Sequence, residues 1–158
     1  MLIDFIDSFK STVLSTIDDK GNPFTSYAPY IKQENKYYIY ISSMARHSKN
    51  LEKTPNVSLF FIEDEISCEN IFGRKRVVLQ CSSKKLENDT KGFDNLIEEF
   101  EIRHGATMKM LKAMKDFSIF EFQPYAGEAI FGFGEAYDIG GENFNELVER
   151  KGLKGHKK

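Results

Sequence analysis

The stretch STVLSTIDDKGNPFTSYAPYI, residues 11–31, decides the fold. Two runs rich in β-branched and aromatic residues flank Asp19, Lys20, Gly21 and Asn22, a turn composition. Strand-forming runs this close together, joined through turn residues, pair antiparallel as a hairpin. The pattern then repeats along the chain. KYYIYIS (36–42) sets Tyr37, Ile39 and Ile41 against Tyr38, Tyr40 and Ser42, so both faces of that strand need covering. NVSLFFIED (56–64) follows Pro55, and RKRVVLQCSS (74–83) reads as another strand. DFSIFEFQP (116–124) and EAIFGFGEAYDI (128–139) supply two more.

Helices are interposed rather than alternating regularly with the strands. MLIDFIDSFK opens the chain with Leu2, Ile3, Phe5, Ile6 and Phe9 at helical spacing. RHSKNLEKTP predicts a short helix stopped near Pro55. GFDNLIEEFEIRHG carries Phe93, Leu96, Ile97 and Phe100 on one face and closes with Arg103 and His104 before Gly105. Cations in the last turn and a following glycine suit a helix C-terminus. ATMKMLKAMKD continues with Met108, Leu111 and Met114 as a second apolar stripe. Six or seven strands with hairpin-like links favour a mainly β (α+β) architecture, an antiparallel barrel with peripheral helices. A strand apolar on both faces predicts that one side fills the barrel while the other meets a helix or a partner subunit.

At 158 residues the chain is expected to form a single domain. Its parts are a helix over 1–10, a barrel over 11–140 with helical insertions at about 46–54 and 90–115, and a C-terminal segment over 141–158. A formal net charge of -2 argues against a general nucleic-acid binder. No apolar run is long enough to span a membrane, and the acidic, amphipathic start predicts a cytoplasmic protein. Cys68 and Cys81 are too few and too isolated for a disulfide framework or a structural zinc site. Fourteen Phe and seven Tyr predict aromatic packing in the core and at a subunit interface.

Several short motifs invite chemistry. GFGEAYDIGG (132–141) is not a dinucleotide fingerprint, because Tyr137 stands where the third glycine belongs and a strand continues. Gly132 and Gly134 read instead as same-face strand positions approached closely by backbone or a flat ligand. Glu63, Asp64 and Glu65 are consecutive, and read as a solvated turn rather than a cation site. Arg74 and Arg76, two apart at a strand start, point the same way and form either a clamp for anionic groups or a pair of surface arginines. His47 either bonds locally or lines a pocket, and His104 is satisfied at its helix end. No nucleophile elbow or His-Glu-x-x-His pattern supports hydrolase chemistry.

SYAPY, YYIYIS, ARHSKNL, PNVSLFFIEDE, FGRKR, DFSIFEFQP and GFGEAY, in that order, resemble the HugZ/HutZ haem-utilisation family, a branch of the flavin-binding split-barrel superfamily that includes pyridoxamine-phosphate oxidase. The resemblance runs from about residue 11 to the end of the chain. It implies a homodimeric split β-barrel that binds haem and degrades it with O₂, releasing iron, with electrons from an unidentified donor. It also implies that 141–158 is a haem-binding loop, with His156 of GLKGHKK as the axial ligand of the haem iron. Asp116 matches the aspartate that bonds the ligand histidine across the dimer interface, and Arg76 matches an arginine near the haem, with Arg74 as neighbour. His47 matches the histidine of the ARH motif, and Lys154 stands beside the expected ligand. Imidazole is a common axial ligand for haem, and a carboxylate on its other nitrogen fixes the tautomer. Two other readings share the scaffold: a non-enzymatic haem storage or delivery protein, and an FMN-dependent oxidoreductase with Arg74, Lys75 and Arg76 on the phosphate.

Overall fold

A computed structural model describes residues 1–150. After helix α1 (Leu2–Asp7), the hairpin of the opening stretch forms as strands β1 (Ser11–Ile17) and β2 (Pro23–Gln33). They pair antiparallel from Ser11↔Pro29 to Ile17↔Pro23. The Asp18 carboxylate closes the turn, accepting the backbone N–H groups of Lys20 at 2.9 Å and Asn22 at 2.8 Å. Aspartate is favoured at such positions because its short side chain replaces a backbone acceptor.

Strand β3 (Lys36–Ser42), helix α2 (Arg46–Lys53), β4 (Asn56–Ile62) and β5 (Arg76–Lys85) follow. Helices α3 (Lys91–His104) and α4 (Ala106–Leu111) lead into β6 (Phe117–Ile130), β7 (Ala136–Gly140) and β8 (Glu146–Glu149). The sheet order is β3-β2-β1-β4-β5-β6-β7-β8, and β3 also pairs with β6. That last pairing closes six antiparallel strands into a barrel and leaves β7 and β8 as an extension beyond β6. Closure removes the exposed edges of the six-stranded ring.

The double-faced β3 is explained by two hydrophobic clusters. Tyr37, Ile39 and Ile41 point into the barrel with Leu14, Leu59, Phe61, Val77, Leu79, Phe120 and Phe122. Tyr38 and Tyr40 face the opposite side, against Leu96 and Phe100 of α3 and Met108 of α4. The outer cover is therefore a helix pair of the same chain. Helix α1 plugs the barrel with Leu2 and Ile6, both buried. Arg103 at the end of α3 holds the plug by donating to the carbonyls of Asp7 at 3.0 Å and Phe9 at 2.8 Å.

Three sequence expectations change. The two strands expected around Pro124 are one, because a bulge opposite Gln80 and Cys81 absorbs Tyr125 with a one-residue register shift and β6 pairs with β5 on both sides of it. Gly132 and Gly134 lie in the turn between β6 and β7 rather than within a strand, and the φ of +79° at Gly134 is one that a side chain disfavours. Part of the segment expected as a C-terminal loop is strand, since β8 pairs with β7 from Gly140↔Glu146 to Tyr137↔Glu149.

Candidate functional site

The α3–α4 hairpin does not lie flush on the sheet. Between it, β2, β3 and the start of α2 is a cavity of about 510 Å³, within the range of small-molecule sites. Its walls are mainly apolar and aromatic, with Tyr40, Phe100, Met108, Leu111 and Phe117. Tyr40 and Phe117 lie 5.1 Å apart between ring centres, and Tyr40 donates its hydroxyl to the Leu111 carbonyl at 3.3 Å. The second hydrophobic cluster thus both supports α4 and provides an apolar wall of mutually tilted rings.

Two histidines line this cavity, His47 from α2 and His104 from α3. Burial lowers both pKa values, so both rings are neutral at pH 7. His104 Nε2 lies 2.8 Å from the Tyr30 carbonyl oxygen. A carbonyl can only accept, so Nε2 carries the proton and Nδ1 keeps its lone pair. His47 Nδ1 shares a hydrogen bond of 2.9 Å with Ser26 Oγ. His104 is the residue that sequence reasoning passed over. The alternation of KYYIYIS supplied the missing signal, since whatever covers its outer face also meets the end of α3.

Asp116 is tied to the lining through Ser42 and itself borders a separate depression with Ser43, Lys85 and Ser118. Its Oδ2 accepts the Ser42 hydroxyl at 2.7 Å, Ser42 lines the cavity, and the Asp116 carbonyl accepts the Ser43 N–H at 2.7 Å. An ionised carboxylate has lone pairs beyond the one Ser42 uses, so a second donor can still approach.

The arginines lie elsewhere. Arg76 opens β5 and pairs with Ile130 at the end of β6, whereas Asp116 immediately precedes Phe117 at its start. The strand between them has a contour of about 43 Å at ~3.3 Å per residue. Arg74 lies before the strand and does not share a ladder face with Arg76. Its Nε and Nη2 donate to the Glu63 carbonyl at 3.1 and 2.5 Å, and Nη1 is 3.6 Å from Glu65 Oε1. Arg76 Nη1 donates to the Arg74 carbonyl at 2.8 Å. The loop thus holds its arginines by backbone acceptors and supplies cations at the end of β6 away from the cavity. His156 and Lys154 lie outside the described residues.

Among the described residues no group of three or more His, Cys, Asp or Glu side chains is placed to hold a metal ion. Burial pushes the Cys81 thiol up to about 12, so it remains protonated and unreactive. No helix among the described residues is long and apolar enough to cross a membrane.

Residues 2–131 match the pyridoxamine 5'-phosphate oxidase family. Over 155 residues, 98% of this chain and 87% of the relative, the sequence is 34% identical to heme oxygenase HutZ of Vibrio cholerae. The chain belongs to the HutZ-type haem-utilisation family. Two solved structures show how closely this barrel follows HutZ-type proteins. One is HutZ of Vibrio cholerae, there described as a heme storage protein, with a TM-score of 0.76 and 33% identity over 83% of this chain and 92% of that one. The other is ChuZ of Campylobacter jejuni, with a TM-score of 0.83 and 30% identity over 98% of this chain but only 65% of that one. The cavity beneath α3 and α4 is walled chiefly by apolar and aromatic side chains. Its described walls offer neutral imidazoles and aromatic faces but no cation for an anionic edge.

Proposed function

We propose that this protein is a cytoplasmic homodimer that binds haem and degrades it oxidatively, using O₂ and an external electron donor to release iron. The observation that carries the proposal is the aromatic cavity lined by two neutral histidines, with Asp116 bonded to Ser42 of its lining. His156 is the proposed iron ligand. Asp116 accepts the other ring N–H of that ligand, Arg76 with Arg74 and Lys154 meets the propionates, and His47 borders the ring. Bound haem supplies the redox chemistry with O₂. The chain's share is to orient the ring against the aromatic wall of Tyr40 and Phe117, to exclude water, and to hold the ligand tautomer through Asp116.

The topology favours a site shared between two protomers. Arg150 contacts Glu128 and Asp138, which places the root of the C-terminal segment beside the far end of β6. His156 follows six residues later, a span of at most about 20 Å even when fully extended. Asp116 lies twelve residues back along β6 from Glu128, about 40 Å of strand. In this reading Arg76 and His156 of one site come from one chain, and Asp116 with the cavity comes from its partner.

A second reading, carriage without degradation, draws support from the description of the solved HutZ structure as a storage protein. Haemin titration followed by ascorbate under air, with catalase present, separates the two. Loss of the Soret band supports degradation, a persistent band supports carriage, and no Soret shift on titration overturns haem binding. An FMN-dependent oxidoreductase, the reading that the family match leaves open, would purify yellow with a flavin spectrum.

A further inference from the structure

We infer that His104 gives the cavity a hydrogen-bond acceptor that favours the opened tetrapyrrole over haem: its Nδ1 takes an N–H of the linear product. This rests on the proposed oxidative degradation of haem at the cavity beneath α3 and α4. His104 is the last residue of α3, and its side chain lines that cavity. Two contacts fix the ring. Nε2 donates to the Tyr30 carbonyl at 2.8 Å, and the Phe100 ring lies beside it with centroids 6.0 Å apart and planes inclined by 33°. The proton therefore sits on Nε2, and Nδ1 keeps its lone pair. Burial keeps the imidazole neutral, so that lone pair is available at pH 7. Among the described residues no hydrogen bond reaches Nδ1.

Other polar side chains of the lining are already engaged. Tyr40 donates its hydroxyl to the Leu111 carbonyl at 3.3 Å, Ser42 donates to Asp116 Oδ2 at 2.7 Å, and His47 Nδ1 shares its bond with Ser26. His104 Nδ1 is thus a fixed acceptor on a mainly apolar and aromatic wall. A ligand that displaces water from such an atom has to replace the lost hydrogen bond or bind less tightly. Haem offers no donor there, because its pyrrole nitrogens all bind the iron and its propionates are ionised at pH 7. Ring opening with loss of iron changes this, since a linear tetrapyrrole carries pyrrole and lactam N–H groups. The shape of the wall agrees. Tyr40 is tilted by 36° from Phe117 and by 43° from Phe100, and a linear tetrapyrrole is free to twist where a porphyrin is flat. Ring opening therefore creates a contact at His104 that the intact macrocycle lacks, and this contact retains the product.

Haemin and biliverdin, each titrated without reductant into the full-length wild type and into His104→Phe, test this. Phenylalanine keeps a ring beside Phe100 and removes both nitrogens. One neutral hydrogen bond corresponds to about a five-fold change in affinity, so the ratio of biliverdin to haemin affinity is expected to fall about five-fold in the variant. Should His104→Phe fail to fold, NMR of the wild type with isotope-labelled histidine decides the matter. Biliverdin should then move the bare Nδ1 resonance of His104 toward the hydrogen-bonded position while Nε2 stays protonated. An unchanged affinity ratio, a haemin loss as large as the biliverdin loss, or an Nδ1 resonance that does not move overturns the inference. Wild-type protein that binds haemin but not biliverdin overturns it too, and leaves haem binding intact. Wild-type protein that takes up neither ligand overturns the proposed function and the inference with it.

Discussion

The proposed shared site makes a quantitative demand on mixed dimers. Take one chain carrying Asp116→Asn and another carrying His156→Ala. Each homodimer has every site damaged. Removing the carboxylate partner of a metal-bound histidine costs about 10- to 100-fold in affinity or activity. In a heterodimer, however, one site combines the intact Asp116 of one chain with the intact His156 of the other, and the second site collects both substitutions. Random assortment of a 1:1 mixture makes about half the dimers mixed, so about a quarter of all sites are native. The geometric basis is the contour of about 40 Å of β6 between Glu128 and Asp116, set against a reach of about 20 Å from Arg150 to His156. Co-expressed chains with two different affinity tags allow the heterodimer to be isolated and its haemin titration followed by ascorbate-driven Soret loss. A native-rate phase with half the wild-type amplitude per heterodimer is expected. A heterodimer behaving as the average of its two parents would refute the reasoning, since a site built within one chain never recovers both residues.

Three further outcomes follow from the geometry. Because burial lowers His47 and His104 below the ordinary 6.5, the unfolded chain binds more protons than the folded one once pH drops below that value. Their stability contribution is complete above about pH 6.5 and shrinks as pH falls; the urea midpoint should drop between pH 7 and 5, and drop less in His47→Asn/His104→Asn. A β-carbon on Gly127 would stand 2.6 Å from the Val78 carbonyl oxygen, so Gly127→Val should cost about 2 kcal/mol or more in chemical denaturation. Asn50 donates to Thr16 Oγ1 at 3.0 Å with both groups buried, and Asn50→Leu should cost about 1–2 kcal/mol by the same assay.

Alternation carried most of the fold. KYYIYIS, apolar on both sides, announced an outer cover, and helices α3 and α4 fill that place. Where the sequence misled, the cause was a local rule overridden by tertiary structure. Pro124 argued for a break, yet Pro124 opposite Cys81, with Tyr125 as the extra residue of the bulge, keeps β6 whole from Phe117 to Ile130. Gly127 carried no signal in the sequence, and the close approach of β5 requires it there. Arg74 and Arg76 were separable only once the start of β5 was known, because a two-residue spacing shares a face only inside a strand. His104 was legible as a helix end but not as a cavity wall, since its partner is the carbonyl of Tyr30, seventy-four residues away. His47 lines the cavity and Asp116 bonds Ser42 of its lining, whereas the distance of Asp116 from Arg76 along β6 is a property of topology that no local motif encodes.

The central claim is that haem is held through His156, and the Soret band of the haemin complex tests it most directly. Wild-type protein should titrate to a saturable, red-shifted Soret band, and His156→Ala should lose that band position and bind at least 10-fold more weakly, as expected when a metal ligand or its immediate support is removed. An unaltered Soret maximum and affinity in His156→Ala would contradict the account.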